Sequence, residues 1–183
     1  MSKSADKILD TAEYLFNQHS FSSVGVDLIR DESGCSKTTL YTYFKNKQQL
    51  VASVLKTRDT RFRDSLEQFV GDTTDLNALE RIFDWHIHWF QQDTFKGCLF
   101  VRAVGESSKQ EDEIIQLAKD HKTWLYAFIS KHTQNLMRPA EITELTYNFL
   151  ESLINRFLVE GFNAERAEQN KSLLFNLIGM LQA

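Results

Sequence analysis

The sequence predicts an all-α protein, and three observations carry that expectation. One proline and seven glycines in 183 residues leave too few chain-breakers for the turns of a β or α/β domain. Between them run breaker-free stretches at 35–70, 106–138 and 140–160, far longer than the ~5–6 residues of an average strand. Within these stretches apolar residues recur every three or four positions, the period of a helix that buries one stripe. The chain length suits one domain, or one domain with a small appendage, and about nine helices fill it.

The first helix is expected over 5–19, where Ala5, Ile8, Ala12, Leu15 and Phe16 make one stripe and Ser4 stands as the cap. Phe21 and Val24 lead into a short helix at 26–33 that turns Leu28 and Ile29 inward. After Gly34 and Cys35, Ser36 caps a third helix carrying Leu40, Tyr41 and Phe44. Asn46 caps a fourth that starts near Lys47, carries Leu50, Val54, Leu55, Phe62, Leu66 and Phe69, and stops by Gly71. Thr74 caps a fifth at 75–92, apolar on two rows: Leu76, Leu79, Phe83, Ile87 and Phe90, then Ile82, Trp85 and Trp89. A helix apolar over most of its circumference is surrounded by protein. A short sixth is expected at 96–106. Ser108 with Glu111 forms a capping box for a long seventh helix that ends before Pro139. Pro139 suits the first turn of the eighth, which runs to Gly161, and Asn163 caps the ninth.

Composition narrows the function classes. No run approaches the ~18 apolar residues of a membrane helix. Lys3, Asp6, Lys7, Asp10 and Glu13 interrupt the first thirteen positions, which leaves no apolar core for a signal peptide. Cys35 and Cys98 lie sixty-three positions apart, without metal-ligand spacing, and suit a reducing compartment; the expectation is a cytoplasmic protein. There is no phosphate-binding glycine loop, no G-x-S-x-G elbow, no H-E-x-x-H and no paired-cysteine site, so no enzyme, cofactor or metal is expected.

Charge is uneven along the chain. Residues 1–47 hold six bases and six acids, whereas 48–183 hold fifteen and nineteen. Within 36–47 stand Lys37, Lys45 and Lys47 with no acid at all. A local basic edge on an acidic body fits specific binding to DNA better than indiscriminate coating.

The stretch 26–44 has helix-turn-helix mechanics: a short helix, a turn at Gly34, and a second short helix opened by a serine. The second helix keeps Leu40 and Phe44 inward and offers Lys37, Thr38, Thr39, Thr42 and Tyr43 outward, the donors, acceptors and methyl groups that base edges and phosphates require. On pattern alone, an ordinary helical hairpin with a solvated face explains it as well.

The wording of the segment distinguishes the two. Gly34-Cys35-Ser36-Lys37-Thr38-Thr39-Leu40-Tyr41-Thr42-Tyr43-Phe44-Lys45-Asn46-Lys47-Gln48-Gln49-Leu50 resembles the signature of the TetR/AcrR family of transcriptional regulators. Val24-Gly25-Val26-Asp27-Leu28-Ile29 is similar to the entry of one large branch, and 95–103, with Gly97-Cys98, is a weaker echo of an element in that branch's sixth helix. The close resemblance covers about 5–55. It implies a dimeric, double-stranded-DNA-binding regulator, usually a repressor. Its head would be 1–47, and an effector-binding and dimerising body would follow at 48–183. By position, Lys37, Thr38 and Thr42 would face bases; Thr39, Tyr41, Tyr43, Lys47 and the amide of Gly25 would hold phosphates. Three departures stand out. Ser20 replaces a usual glycine and is expected at positive φ, Cys35 replaces an apolar turn residue, and Arg102 replaces an asparagine.

In the body, Phe62, Trp85, Trp89, Phe100, His121, Trp124 and Phe128 are candidates to line a cavity for a lipophilic or aromatic effector, with plain core packing as the ordinary alternative for each. Leu145, Phe149, Leu153 and Phe157, with Leu174, Leu177 and Leu181, carry more apolar faces than one subunit buries easily, which predicts a homodimer. His86 and His88 point ~200° apart on a helix and cannot chelate together. Redox sensing at Cys98 or Cys35 and a helical interaction module are the remaining alternatives.

Overall fold

A computed structural model describes residues 2–108 and 112–183. Among these residues the elements are α1 (Lys3–Gln18), α2 (Val26–Ser33), α3 (Lys37–Tyr43), α4 (Lys47–Val70), α5 (Asp75–Phe90), α6 (Leu99–Glu106), α7 (Asp112–Thr133), α8 (Pro139–Glu160) and α9 (Ala164–Gln182), and no strand. None of these helices is long and apolar enough to cross a membrane.

Packing sorts the chain into two compact units, Met1–Arg61 with Cys98–His121 and Phe62–Gly97 with Lys122–Ala183. This division differs from a boundary at Lys47: Leu50, Val54 and Leu55 from the start of α4, and Leu99, Phe100 and Ala103 from α6, join the core of the first three helices. Ile8, Phe16, Ile29 and Leu40 form the centre of that core. In the second unit α8 lies between α5 and α9. Its core holds Phe83, Leu79, Ile82, Leu150 and Leu174.

Local chemistry sets most helix ends. Ser36 Oγ accepts from Thr39 N–H, Asn46 Oδ1 from Gln49 N–H and Asn163 Oδ1 from Arg166 N–H, each satisfying an orphan donor. Pro139 occupies the first turn of α8. The cap of α1 is Ser2, whose hydroxyl accepts from Ala5 N–H, and Ser4 lies inside the helix. Thr74 stands at the start of α5, but its hydroxyl bonds to the Asp75 carboxylate and leaves the backbone alone. That helix ends at Phe90, short of 92, and α6 starts only at Leu99 because Gly97 takes a left-handed conformation, φ 74°. Glu111, one half of the expected capping box, lies outside the described residues.

Leu28 is 38% exposed, whereas Ile29 is fully buried; neighbours on a helix point ~100° apart, so an eight-residue helix turns only one of them inward. Ser20 does not adopt a positive φ. Ser20 N–H donates to Ser23 Oγ, Ser23 N–H donates to Ser20 Oγ, and Val24 N–H closes on Ser20 O. This reciprocal serine cap starts a single helical turn that makes a left-handed residue unnecessary.

Candidate nucleic-acid interface

The turn between α2 and α3 is built by Gly34, which ends α2 in a left-handed conformation, φ 62°. Ser36 then opens α3 with its hydroxyl on Thr39 N–H at 3.0 Å and on the Thr39 hydroxyl at 2.8 Å. Leu40 and Phe44 are buried, 0% and 4% exposed, and lock the helix onto the core. At 100° per residue, Lys37, Thr38, Tyr41 and Thr42 share an arc of about 140°, with Thr39 and Tyr43 on the next face. Lys37, Thr38, Tyr41, Thr42 and Tyr43 are exposed; Thr39 is half-buried. Thr42 Oγ1 donates to Thr38 O at 2.8 Å, so the hydroxyl keeps its lone pairs and its methyl for a partner.

The edges of this face present phosphate-sized donors. Gly25 is the exposed N-cap of α2, and beyond its two chain neighbours nothing lies within 4 Å of where a side chain would begin. Lys47 is half-buried in the first turn of α4, beside the Asn46 cap. Both places are helix N-termini, which favour anions.

The sequence did not reveal the charge pattern behind the face. Asp27 Oδ1 accepts from Lys37 Nζ at 3.1 Å and from Arg30 Nη1 at 2.9 Å, while Arg30 Nε donates to Asp31 at 2.8 Å. Lys37, by hydrogen bond and by charge, holds the Asp27 carboxyl below its usual value, and Asp31 raises Arg30. The i,i+3 spacing of Asp27 and Arg30 was a visible signal; the link to Lys37 depended on the turn.

The connection from α1 to α2 is held by α6. Arg102 Nη2 donates to Phe16 O at 2.7 Å and Asn17 O at 3.1 Å, in the last turn of α1. One turn further along α6, Glu106 accepts from Ser22 N–H at 2.9 Å and Ser22 Oγ at 3.0 Å. Together they hold the end of α1 and Ser22 in the connection that follows it. Burial pushes Arg102 below its ordinary value, and Glu106 partly offsets this. A 250 Å³ cavity sits beside the grip, lined by Phe21, Ser22, Lys47, Ala103 and Glu106 among others. The cysteines are half-buried against this unit's core, Cys35 Sγ pointing to Ser4 O at 3.9 Å, and neither forms a disulfide.

The second unit brings five of the seven cavity candidates together. Phe62 meets Trp85, Trp89 and Trp124 edge-on at 4.8, 6.2 and 6.3 Å, and Trp124 stacks on Phe128 at 5.1 Å. The Arg63 guanidinium lies 5.0 Å over Trp124, and Trp85 Nε1 donates to Ser65 Oγ. Phe100 and His121 form a separate pair in the first unit: the rings stack at 3.8 Å, and His121 Nδ1 donates to Asp59 at 2.8 Å. His86 and His88 each place Nδ1 2.7 Å from the carbonyl four residues back, so that nitrogen carries the proton.

Of the interface candidates, Leu153, Phe157 and Leu174 are 2% exposed or less and belong to the chain's own core; Phe157 packs on Phe90 and Phe162. Leu145, Phe149, Leu177 and Leu181 are half-buried. Leu145, Phe149 and Leu153 with Leu173 and Tyr126 line an 800 Å³ groove. Leu173, Val159 and Met180 on the two final helices are exposed.

Residues 8–54 match the family described as bacterial regulatory proteins, tetR family. An uncharacterised HTH-type transcriptional regulator of Mycobacterium tuberculosis is 44% identical over 57 residues, which is 31% of this chain and 28% of that relative. A TetR-family transcriptional regulator from Streptomyces coelicolor has the same fold: TM-score 0.85 at 19% identity, over 97% of this chain and 94% of that one. So has FadR from Bacillus subtilis, whose structure is a complex with stearoyl-CoA: TM-score 0.69 at 14% identity, over 94% and 97%.

Proposed function

We propose that this chain, whose head matches the tetR family, is a homodimeric regulator of that family which reads a palindromic operator with α3 and is released by a small molecule. Functionally the division is a DNA-binding head at 1–47 and an effector-binding, dimerising body at 48–183. One observation carries the reading: Leu40 and Phe44 anchor a seven-residue helix whose outward residues are a lysine, threonines and tyrosines, with no acid among them.

Such a helix enters a major groove with its polar face toward the bases. Lys37, Thr38 and Thr42 face base edges. Thr39, Tyr41, Tyr43, Lys47 and the Gly25 amide hold phosphates, which fixes register without reading sequence. Two heads must then lie one DNA turn or a multiple apart, ~34–36 Å for one turn. The groove lined by Leu145, Phe149 and Leu173, together with the half-buried Leu177 and Leu181 on α9, receives the second copy, and Phe149→Glu should separate the subunits.

The effector is lipophilic or aromatic and binds among Phe62, Trp85, Trp89, Trp124 and Phe128, where rings offer apolar faces and edges. The acyl-CoA held by FadR supports this choice of ligand chemistry in a body of this fold. A ligand preferring the conformation with misspaced heads draws the population away from the operator-competent state, and by reciprocity DNA weakens the ligand. Repression relieved by the ligand is the resulting behaviour.

The test is fluorescence anisotropy on a duplex selected by the purified protein, titrated with a panel of lipophilic and aromatic compounds while the dimer is followed by sedimentation. A compound that raises the operator Kd and leaves the dimer intact supports the reading. Binders that leave operator affinity untouched overturn release by effector.

A further inference from the structure

The Asp27–Lys37 contact has a consequence beyond that reading. Lys37 is the first residue of α3, and Asp27 sits in the first turn of α2, so their 3.1 Å contact spans the turn and joins the two helices of the motif. The same carboxylate oxygen takes Arg30 at 2.9 Å, and Arg30 is also pinned by Asp31. Asp27 is therefore paired on its own helix as well as with the ammonium of Lys37. Its carboxyl, lowered by Lys37, stays ionised through the neutral range.

A lysine is a compact charge on a flexible four-carbon stem. Left alone beside DNA, it settles on the nearest phosphate, which supplies affinity that is blind to sequence and sensitive to salt. An ammonium tethered between two helices is withheld from the phosphates and presented to whatever lies ahead of the helix N-terminus. An acid so close to the reading face repels the DNA backbone, an expense that affinity alone would not favour. Discrimination would.

Resting on the reading that α3 enters the major groove, we propose that Asp27 is a specificity-determining residue that steers Lys37 away from phosphates and toward base edges. Asp27 itself touches no base; it acts through Lys37.

The experiment compares wild type, Asp27→Asn, Lys37→Ala and the double variant on the selected operator and on a scrambled duplex, by anisotropy across a salt series. An exposed ion pair biases its side chains only a few-fold. Freeing Lys37 should accordingly tighten scrambled-duplex binding about three- to tenfold and steepen its salt slope by about one per protomer. Operator affinity should stay within about twofold, so the discrimination ratio falls. In the Lys37→Ala background the Asp27 substitution should leave the ratio unchanged. Asp27→Glu, which retains the charge and the helix-start acid, should keep the wild-type ratio and covers the case in which the asparagine variant folds poorly.

Equal tightening on both duplexes overturns the proposal, because loss of a repelling charge acts on every sequence alike. So does an effect of Asp27→Asn on the discrimination ratio that persists without Lys37, or a lost ratio in a well-folded Asp27→Glu. A wild type that shows no preference for any duplex instead overturns the major-groove reading itself.

Discussion

Replacing Arg102 by methionine keeps the stem of the side chain and removes the guanidinium that ends α1. Phe16 O and Asn17 O lie in the last turn of that helix, where carbonyls lack onward partners. His19 N–H goes to Leu15 O and Ser20 N–H turns to Ser23 Oγ, so Arg102 Nη2 supplies the donors at 2.7 and 3.1 Å. A hydrogen bond to a charged group contributes about 1.5–3 kcal/mol. Because Arg102 is only half-buried, water recovers part of this, and the two bonds together come to about 2 kcal/mol. In a chain of this length that lowers Tm by about 4–8 °C. Urea unfolding with the slope held equal between variants measures the difference directly. Arg102→Lys, with one compact ammonium, should recover less than half. An Arg102→Met protein within about 0.5 kcal/mol of wild type would refute the claim that α6 terminates α1, since that is the scatter of an indifferent surface change.

Other expectations follow from the same geometry. Lys47→Ala should weaken all duplexes and lower the salt slope by about 0.9 per protomer, whereas Thr42→Ala and Lys37→Ala should change base preference; identical behaviour of all three in anisotropy titrations would show the contacts are missorted. Burial, helped by Lys131, holds His132 below its usual value. The unfolded chain then takes up the proton first, so this site's contribution is present above the ordinary histidine range and is lost as pH falls. His132→Gln should flatten the decline in urea midpoint between about pH 7 and 5; an unchanged decline would exclude His132 as its source. Gly97→Ala forces a side chain onto φ 74° with its Cβ 2.8 Å from Leu158 Cδ2, so thermal unfolding should show a loss of about 1–3 kcal/mol, and a wild-type melting curve would contradict the fold at the start of α6.

What the sequence made legible was local. Ser36, Asn46, Asn163 and Pro139 announce helix starts because a cap acts within three residues, and Leu40 with Phe44 announces a buried face because four residues make a turn. Ser4 was misplaced because two serines stand within three positions and only the chain direction into the helix selects Ser2. Leu28 was misplaced because an eight-residue helix has too few turns to fix its phase. On α8 and α9 a core row and a surface row are both apolar; only tertiary packing separates Leu153, Phe157 and Leu174 from Leu145 and Phe149. The grip of Arg102 on Phe16 and of Glu106 on Ser22 joins residues more than eighty positions apart. Such contacts follow from how helices dock, and no spacing rule reaches that far. The Asp27–Lys37 tether lies between these cases: its partners are ten residues apart, and the left-handed Gly34 brings them together.

The measurement closest to the centre of the account is selection from a random duplex pool by the purified chain, followed by hydroxyl-radical footprinting of the winners. Enrichment of an inverted repeat, with two protected half-sites centred one helical turn or a whole multiple apart, is the predicted result. A pool that stays unenriched, or retention of all duplexes alike with the same salt slope, would contradict it.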